Sequence, residues 1–409
     1  MMKLQFGPVL MAFMMLLVGL SGCIFEEEGT SSGELFAVFS FSSSNENIRV
    51  GDTVSFDASS STPADGSLTY RWDFDGDLSV DKTGKTAEWS YDSVGIKTVI
   101  LTISDGFGSS EQIRNLTIVD ATAVAPIAEI TQYNDAEDCE DNEIDESTKI
   151  VVWMCHYDKS QTDRDVSETT TISLDASNSD AGDPNEYIPD YDWDLDLNVD
   201  ADNDGDAEND IDLSGVSVNW NDVEPGEYEI KLNIVNSQGL VDSDTINVYV
   251  SYAAKWSDFE MAGNTSANSD PNSELDFDVT ISYDLNTGQT HRNTIRKVVA
   301  ELTYPQQDDD QVGCDAPSAT HCRAKLDIYA YNEDDDEAAN TANTGLDQRD
   351  NGENCDEAND CVHLVMSSYI FGDAENDNTY GDGDWTFKIR NDKQQDLQVE
   401  SFVIRLVYV

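Results

Sequence analysis

The sequence predicts an all-β chain in which two tandem β-sandwiches are followed by a third, jelly-roll-like β-sandwich at the C-terminus. Three observations predict it. Apolar and aromatic residues alternate with polar ones over short runs, as in Val54 and Phe56, in Tyr70, Trp72 and Phe74, and in Val99, Leu101 and Ile103. That period of two is the mark of half-buried strands. Glycine and acidic turn residues bracket these runs, and beyond the first 22 residues almost no segment carries a helical period. Finally, one long block of sequence occurs twice in the same order, which means a duplicated domain rather than a short-period solenoid.

The N-terminus comes first. Lys3 is followed by an apolar run from Phe6 to Leu20 that closes in Leu20-Ser21-Gly22-Cys23. A basic start, a short apolar core and small residues at a cut site describe an export signal, and the run is shorter than the roughly 20 residues a spanning helix needs. The closing tetrad resembles the lipobox of prokaryotic lipoproteins. The resemblance implies a signal peptide over 1–22, cleavage before Cys23, and lipid attachment at Cys23. An acidic Ser/Gly tether over 23–34 would lead to a cell-surface, membrane-anchored, extracellular remainder.

The duplicated block gives the first two domains, expected at 35–120 and 125–252. Trp89, Gly95, Val99, Leu101, Ile103 and Gly108 are matched without a gap by Trp220, Gly226, Ile230, Leu232, Ile234 and Gly239. Upstream, Phe56-Asp57-Ala58-Ser59 answers Leu174-Asp175-Ala176-Ser177. Tyr70-Arg71-Trp72-Asp73-Phe74-Asp75 answers Tyr191-Asp192-Trp193-Asp194-Leu195-Asp196. These blocks resemble the PKD domain, an Ig-like β-sandwich of prokaryotic surface proteins. The family has an FDAS-like strand, a central YxWDFxD strand and a closing GxYxVxLTVxDxxG strand. The resemblance implies spacing, adhesion or display, without catalytic residues, and a central Trp buried between sheets. The second copy departs from the pattern at Leu174 and Leu195. It also carries two insertions, at 131–165, with an extra strand around Ile150 to Met154, and at 197–212.

The second insertion is strongly acidic. Asp196, Asn198, Asp200, Asp202, Asp204 and Asp206 alternate with other residues, and Gly205 follows Asp204. A DxDxDG run folds carboxylates around a hard cation that takes 6–8 oxygens, so Ca2+ is the cofactor to expect if there is one. The twelfth position counted from Asp200 is Ile211 and not Glu, so the loop is not an EF-hand. An irregular calcium loop and a merely solvated acidic turn both fit.

Six further cysteines form three close pairs, Cys139 with Cys155, Cys314 with Cys322, and Cys355 with Cys361. In an exported chain an even number at such spacings predicts local disulfides, and the knuckle spacing of a zinc site is lacking. Asn115 and Asn264 stand in N-glycosylation triplets.

A third domain is expected over 255–409. Its tail, Gly383-Asp-Trp385-Thr-Phe387-Lys-Ile389-Arg-Asn-Asp392 and then Phe402-Val-Ile-Arg-Leu406, resembles the end of the proprotein-convertase P domain. That family closes on GxWxLxVxD, a short turn and a W-x-L-x-L strand. Val298 to Leu302 and Ala324 to Ile328 fit its earlier strand pair. The resemblance implies an accessory or binding module, and the subtilisin-type domain that usually precedes it has no counterpart here.

Composition narrows function. With 83 acidic against 22 basic residues the net charge is −61, which argues against nucleic acid and anionic lipid headgroups as partners. Such charge repels itself on compaction, so a salty or divalent-rich medium is expected. No HExxH, P-loop or GxGxxG motif occurs, and the chain is not expected to be an enzyme. The expected function is a lipid-anchored surface protein acting in adhesion, display or binding of an envelope protein, peptide or polysaccharide. A purely structural envelope component and a hydrolase with an unrecognised C-terminal site are the alternatives.

Overall fold

A computed structural model describes residues 35–45, 47–64, 68–135, 149–201, 206–265, 268–269, 271–283, 293–306, 324–349, 355–356, 358–372, 379–392 and 396–408. The predicted positions Cys23, Cys139, Asp202, Asp204, Cys314 and Cys322 lie outside them. The chain divides into two compact units. The first takes in the chain up to Ser42, Thr53–Ser90 and Ile96–Leu116; the second takes in Ser43–Asp52, Tyr91–Gly95 and Thr117–Val409. The described residues are all-β, as expected, apart from three 3-10 turns.

Seven strands make the first repeat: β1 (Ser40–Ser42), β2 (Val54–Asp57), β3 (Thr69–Asp73), β4 (Lys82–Thr83), β5 (Thr86–Trp89), β6 (Gly95–Ser104) and β7 (Ser109–Ile118). One sheet runs β1-β2-β5 and the other β4-β3-β6-β7. The expected alternation is what joins them. Val54, Phe56, Trp72, Phe74, Val99, Leu101 and Ile103 are all buried. Phe56 lies 5.6 Å from the Trp72 ring and 4.8 Å from Phe74, centroid to centroid, while Phe39 meets Trp72 edge-on at 5.2 Å. Aromatic pairs in such tilted and edge geometries add about 0.5–1.5 kcal/mol each beyond their buried area.

The second repeat contributes β8 (Tyr133–Asp135), β9 (Lys149–Lys159), β10 (Asp165–Val166), β11 (Thr170–Asp175), β12 (Asp190–Asp194), β13 (Leu213–Ser214), β14 (Ser217–Val223), β15 (Gly226–Val235) and β16 (Val241–Met261). The remaining strands are β17 (Asn264–Thr265), β18 (Asn268–Ser269), β19 (Glu274–Ile281), β20 (Lys297–Pro305), β21 (Leu326–Tyr331), β22 (Glu337–Asn340), β23 (Asn359–Ser367), β24 (Gly383–Asn391) and β25 (Leu397–Val407). Strand β16 is 21 residues long, about 70 Å at the rise of an extended strand. Its first half pairs with β15 and its second half with β25, so one nine-stranded sheet runs β13-β12-β15-β16-β25-β20-β23 with β9 and β8 alongside. The boundary read from the sequence at 252–255 falls inside this strand.

The first insertion reinforces the join. Strand β9 contains the expected extra strand and runs parallel to β16 from Asn247 to Trp256, and the short β10 that follows it pairs in parallel with β19. One core cluster therefore holds residues of the second repeat, such as Trp193 and Leu232, together with Trp256, Phe277, Trp385 and Phe402. The five-stranded sheet β10-β19-β24-β21-β22 covers it.

One local expectation changes. The segments at Val298 and at Leu326, read as a strand pair, lie in different sheets: β20 sits between β25 and β23, and β21 between β24 and β22, so both ladders are already filled. Alternation breaks in the last strand, where Leu397 and Val399 join the same core as Phe402, Ile404 and Leu406. The partner strand reverses its faces at the same level, where Asp258 takes a left-handed φ of 54° between Trp256 and Phe259, both in the core.

Candidate functional site

Both repeats build one hairpin after the central tryptophan. Trp72 Nε1 donates to the Gly84 carbonyl at 2.8 Å, and Trp193 Nε1 donates to the Gly215 carbonyl at 2.9 Å. Gly84 (φ 128°) and Gly215 (φ 134°) hold a backbone conformation that only glycine takes without strain. The Asp81 amide donates to the Trp72 carbonyl as the Asp212 amide does to Trp193, at 2.8 and 2.9 Å. Asp81 Oδ2 accepts the Phe74 amide and Asp212 Oδ2 the Leu195 amide, each at 2.7 Å. Asp73 and Asp194 therefore hold equivalent positions at the end of the central strand. There the chain leaves the sheet, so residues next to a core Trp are themselves buried, at 7% and 0% exposure.

The loops between these fixed points differ, 74–80 in the first repeat and 195–211 in the second. In the first, Gly76 (φ 72°) and Leu78 (φ 68°) curl the backbone back onto the carboxylate. Asp73 Oδ1 accepts the amides of Asp75 (3.2 Å) and Gly76 (2.7 Å), and Oδ2 accepts that of Leu78 (2.7 Å). Carboxylate oxygens of Asp73, Asp75 and Asp81 come within 4.8 Å of one another.

In the second, Asp194 Oδ1 accepts the Asp196 amide, at 3.2 Å. Its Oδ2 is buried and has no hydrogen-bond partner among the described residues. Asp210 is also buried, with Oδ2 accepting the Ala201 amide at 2.7 Å, and Leu197 packs inside the same loop. Burial pushes the Asp194 carboxyl up to about 6; the charges of Asp212 and Asp210 add to this, while the Asp196 amide and Lys231 oppose it. Lys231, opposite Asp194 in the ladder, directs its ammonium to Glu208 at 3.3 Å.

The predicted calcium residues are therefore placed unevenly. Asp196, Asn198 and Asp206 are exposed and Asp200 is half-buried. The buried carboxylates, Asp194 and Asp210, were not in that set. Of the predicted disulfides, Cys355–Cys361 is formed, with a Cα separation of 5.9 Å, and Cys155 is disulfide-bonded as well. Asn115 is exposed on β7, where its side-chain oxygen accepts the Thr98 hydroxyl at 3.0 Å, and Asn264 begins β17.

A second feature lies in the C-terminal half of the second unit. A cavity of about 220 Å³ is lined on its polar side by Gln161, Arg164, Glu260 and Asn272, and on its apolar side by Trp256, Phe259, Leu275 and Phe277. Trp256 is fixed by its Nε1 bond to the Asp163 carbonyl (2.7 Å), and the Arg164 guanidinium stands 5.8 Å from the Phe277 ring centroid. Elsewhere in this half, buried acid is neutralised structurally. Asp327 receives Arg349, Lys325 and the Thr341 hydroxyl, and Arg349 also donates to Tyr304 Oη at 2.9 Å.

The family model of the PKD domain matches residues 40–119, and this repeat is a PKD domain. Solved structures give looser likenesses. One, described as a structural basis for the promiscuous specificity of carbohydrate-binding modules from the β-sandwich superfamily, is 13% identical, with 93% of this chain and 98% of that one covered at a TM-score of 0.19. The three N-terminal domains of the bacteriophage RB49 outer capsid protein Hoc are 12% identical over 90% of this chain and 97% of that one, at 0.22. The fibronectin(III)-like modules of Clostridium thermocellum CbhA are 13% identical over 52% and 95%, at 0.21. No curated protein matches the chain. Among the described residues no helix is long and apolar enough to cross a membrane.

Proposed function

We propose that this chain is an extracellular, lipid-anchored binding protein. The PKD repeats space and display a ligand-binding region in the C-terminal half of the second unit, and the ligand is a peptide or polysaccharide of a neighbouring surface. The observation that carries the reading is the cavity beside Arg164. Ligand sites join an apolar floor to a few polar groups that fix orientation, and here Trp256, Phe259 and Phe277 supply the floor and Gln161, Arg164, Glu260 and Asn272 the rim. The net charge of −61 favours neutral or cationic ligands over polyanions. The test is a glycan and peptide array probed with the full chain, followed by the rim variants Gln161→Ala and Arg164→Ala. Saturable binding weakened at least tenfold by either variant supports the reading; a silent array, or binding indifferent to both, overturns it. The anchor is tested separately: Cys23→Ala should abolish fatty-acid labelling and release the protein into the medium.

A further inference from the structure

We propose that the cavity beside Trp256 reads the C-terminus of a peptide, with the terminal carboxylate on the Arg164 guanidinium and the last, apolar side chain against the aromatic floor. This deepens the binding function proposed above and rests on it. The starting point is an arginine without an acid. In the same half of the second unit Arg349 holds Asp327, Arg390 holds Glu274 and Arg405 holds Glu301. Arg164 is half-buried, stands over the Phe277 ring and has no carboxylate partner among the described residues. The acid before it in sequence, Asp163, is paired with Lys159 at 3.5 Å. In a chain with 83 acidic residues against 22 basic ones acid is never scarce, so an arginine left facing a cavity is open to the acid of a ligand.

The rim is held in place before any ligand arrives. The Arg164 carbonyl accepts the Asp278 amide at 2.9 Å, and the Asp163 carbonyl accepts Trp256 Nε1 at 2.7 Å, so the backbone carrying the guanidinium is pinned twice. Gln161 Nε2 donates at 3.1 Å to the carbonyl of Asp258, the left-handed residue between Trp256 and Phe259. A guanidinium offers a carboxylate two parallel N–H donors. The floor decides what else the ligand carries. Trp256, Phe259 and Phe277 are at most 3% exposed, so no open ring face is offered for a sugar to stack on. The space of about 220 Å³ is smaller than the roughly 300–1,000 Å³ of pockets that enclose a whole small ligand, and it suits one side chain with its chain end. An internal Asp or Glu would bring charge without an apolar group to cover the floor. A chain end brings both, and terminal carboxylates are a recurrent element of peptide recognition. Glu260, exposed on the rim, and the net charge of −61 disfavour further acid, so the residues before the terminus are neutral or basic.

The experiment titrates the full chain, by fluorescence anisotropy, into short labelled peptides that end in Leu, Phe or Trp behind neutral or basic residues, each made as the free acid and as the C-terminal amide. Free acids should bind at least tenfold tighter than their amides, although the acidic chain as a whole repels the extra negative charge. Arg164→Gln should bring the acid down to the level of the amide, and Arg164→Lys should restore only part of the difference, since an ammonium lacks the planar fork. Glu260→Gln should leave the affinity for acids unchanged or raise it. The comparison of acid with amide on the parent chain needs no variant, so it decides the matter even if Arg164→Gln does not fold. Equal binding of acid and amide, discrimination that survives Arg164→Gln, or binding of acids that is weakened by Glu260→Gln overturns this inference while leaving the wider reading of a ligand site standing, and so does binding of glycans alone. Silence from peptides and glycans together overturns both.

Discussion

Asp73 and Asp194 stand at the same point of the same hairpin, one residue beyond the same buried tryptophan, and their surroundings treat them in opposite ways. In the first repeat two left-handed residues turn the loop inward, and backbone amides solvate the carboxylate. In the second the loop is longer, Asp194 Oδ2 has no hydrogen-bond partner among the described residues, and the charges of Asp212 and Asp210 act on the carboxylate. Duplication thus preserved the scaffold, meaning the Trp bond to glycine, the glycine conformation and the Asp81 or Asp212 clasp, and changed only the loop between. A rigid frame can carry loops of different chemistry because its own hydrogen bonds close without them.

The strongest way to break this comparison is to remove the shared tryptophan. Trp72→Ala and Trp193→Ala should each cost about 3–5 kcal/mol, as large-to-small changes in a packed core do. Their reach should differ. Trp72→Ala should unfold the first unit alone, while Trp193→Ala should lower the transition of the whole second unit, because its side chain belongs to a core continuous with Trp256 and Phe402. Calorimetric scans of each variant would separate these outcomes.

Next comes the carboxylate itself. Asp73→Asn should lose about 1–3 kcal/mol, because one oxygen becomes an amide donor facing backbone donors. Asp194→Asn without divalent ions should be neutral or stabilising, and urea titration of the two variants gives the contrast. Gly84→Ala and Gly215→Ala should be destabilising to similar extents, about 1 kcal/mol or somewhat more, since both impose a side chain on a strained φ.

The smallest effect sharpens the contrast through a half-buried acid, Glu301. Burial alone would raise its carboxyl, but hydrogen bonds from His363 and Arg405 and their charges outweigh this and hold it down to about 2. Its folded value lies below its unfolded one, so its contribution is present above about pH 4.5 and is lost as pH falls from there towards 2. As it is partly exposed, a change of about 1 kcal/mol or less is expected. Acid unfolding of Glu301→Gln should therefore show a shallower decline than the parent chain over that range.

Much of this was legible in the residues. Phe56, Trp72, Leu101, Trp193 and Leu232 could be assigned to the interior because alternation and duplication agreed on them, and the Cys355–Cys361 bond because its spacing was short. The union of the second repeat with the C-terminal strands was harder to see. From Val241 to Met261 there is neither glycine nor proline, which is the signal of an unbroken strand. Around Tyr252, Ala253 and Ala254 both faces are buried, so alternation fades where it would have marked continuity. The acidic hairpin is a different case. Its DxDxDG run drew attention to spacing along the loop, whereas burial singled out Asp194, whose meaning lies in its equivalence to Asp73 and not in any motif.

Strand β16 has a consequence for how this protein could be dissected or recombined. A domain with a core of its own can be cut and transplanted at its ends. The first repeat keeps that freedom, with its aromatic core contained between its own two sheets. The second has given it up: severing the chain near residue 252 would halve a single strand and strip β9 of the partner along which it runs, leaving two fragments with open sheet edges. Heredity could shuffle the first copy alone, but the second must travel with everything that follows it.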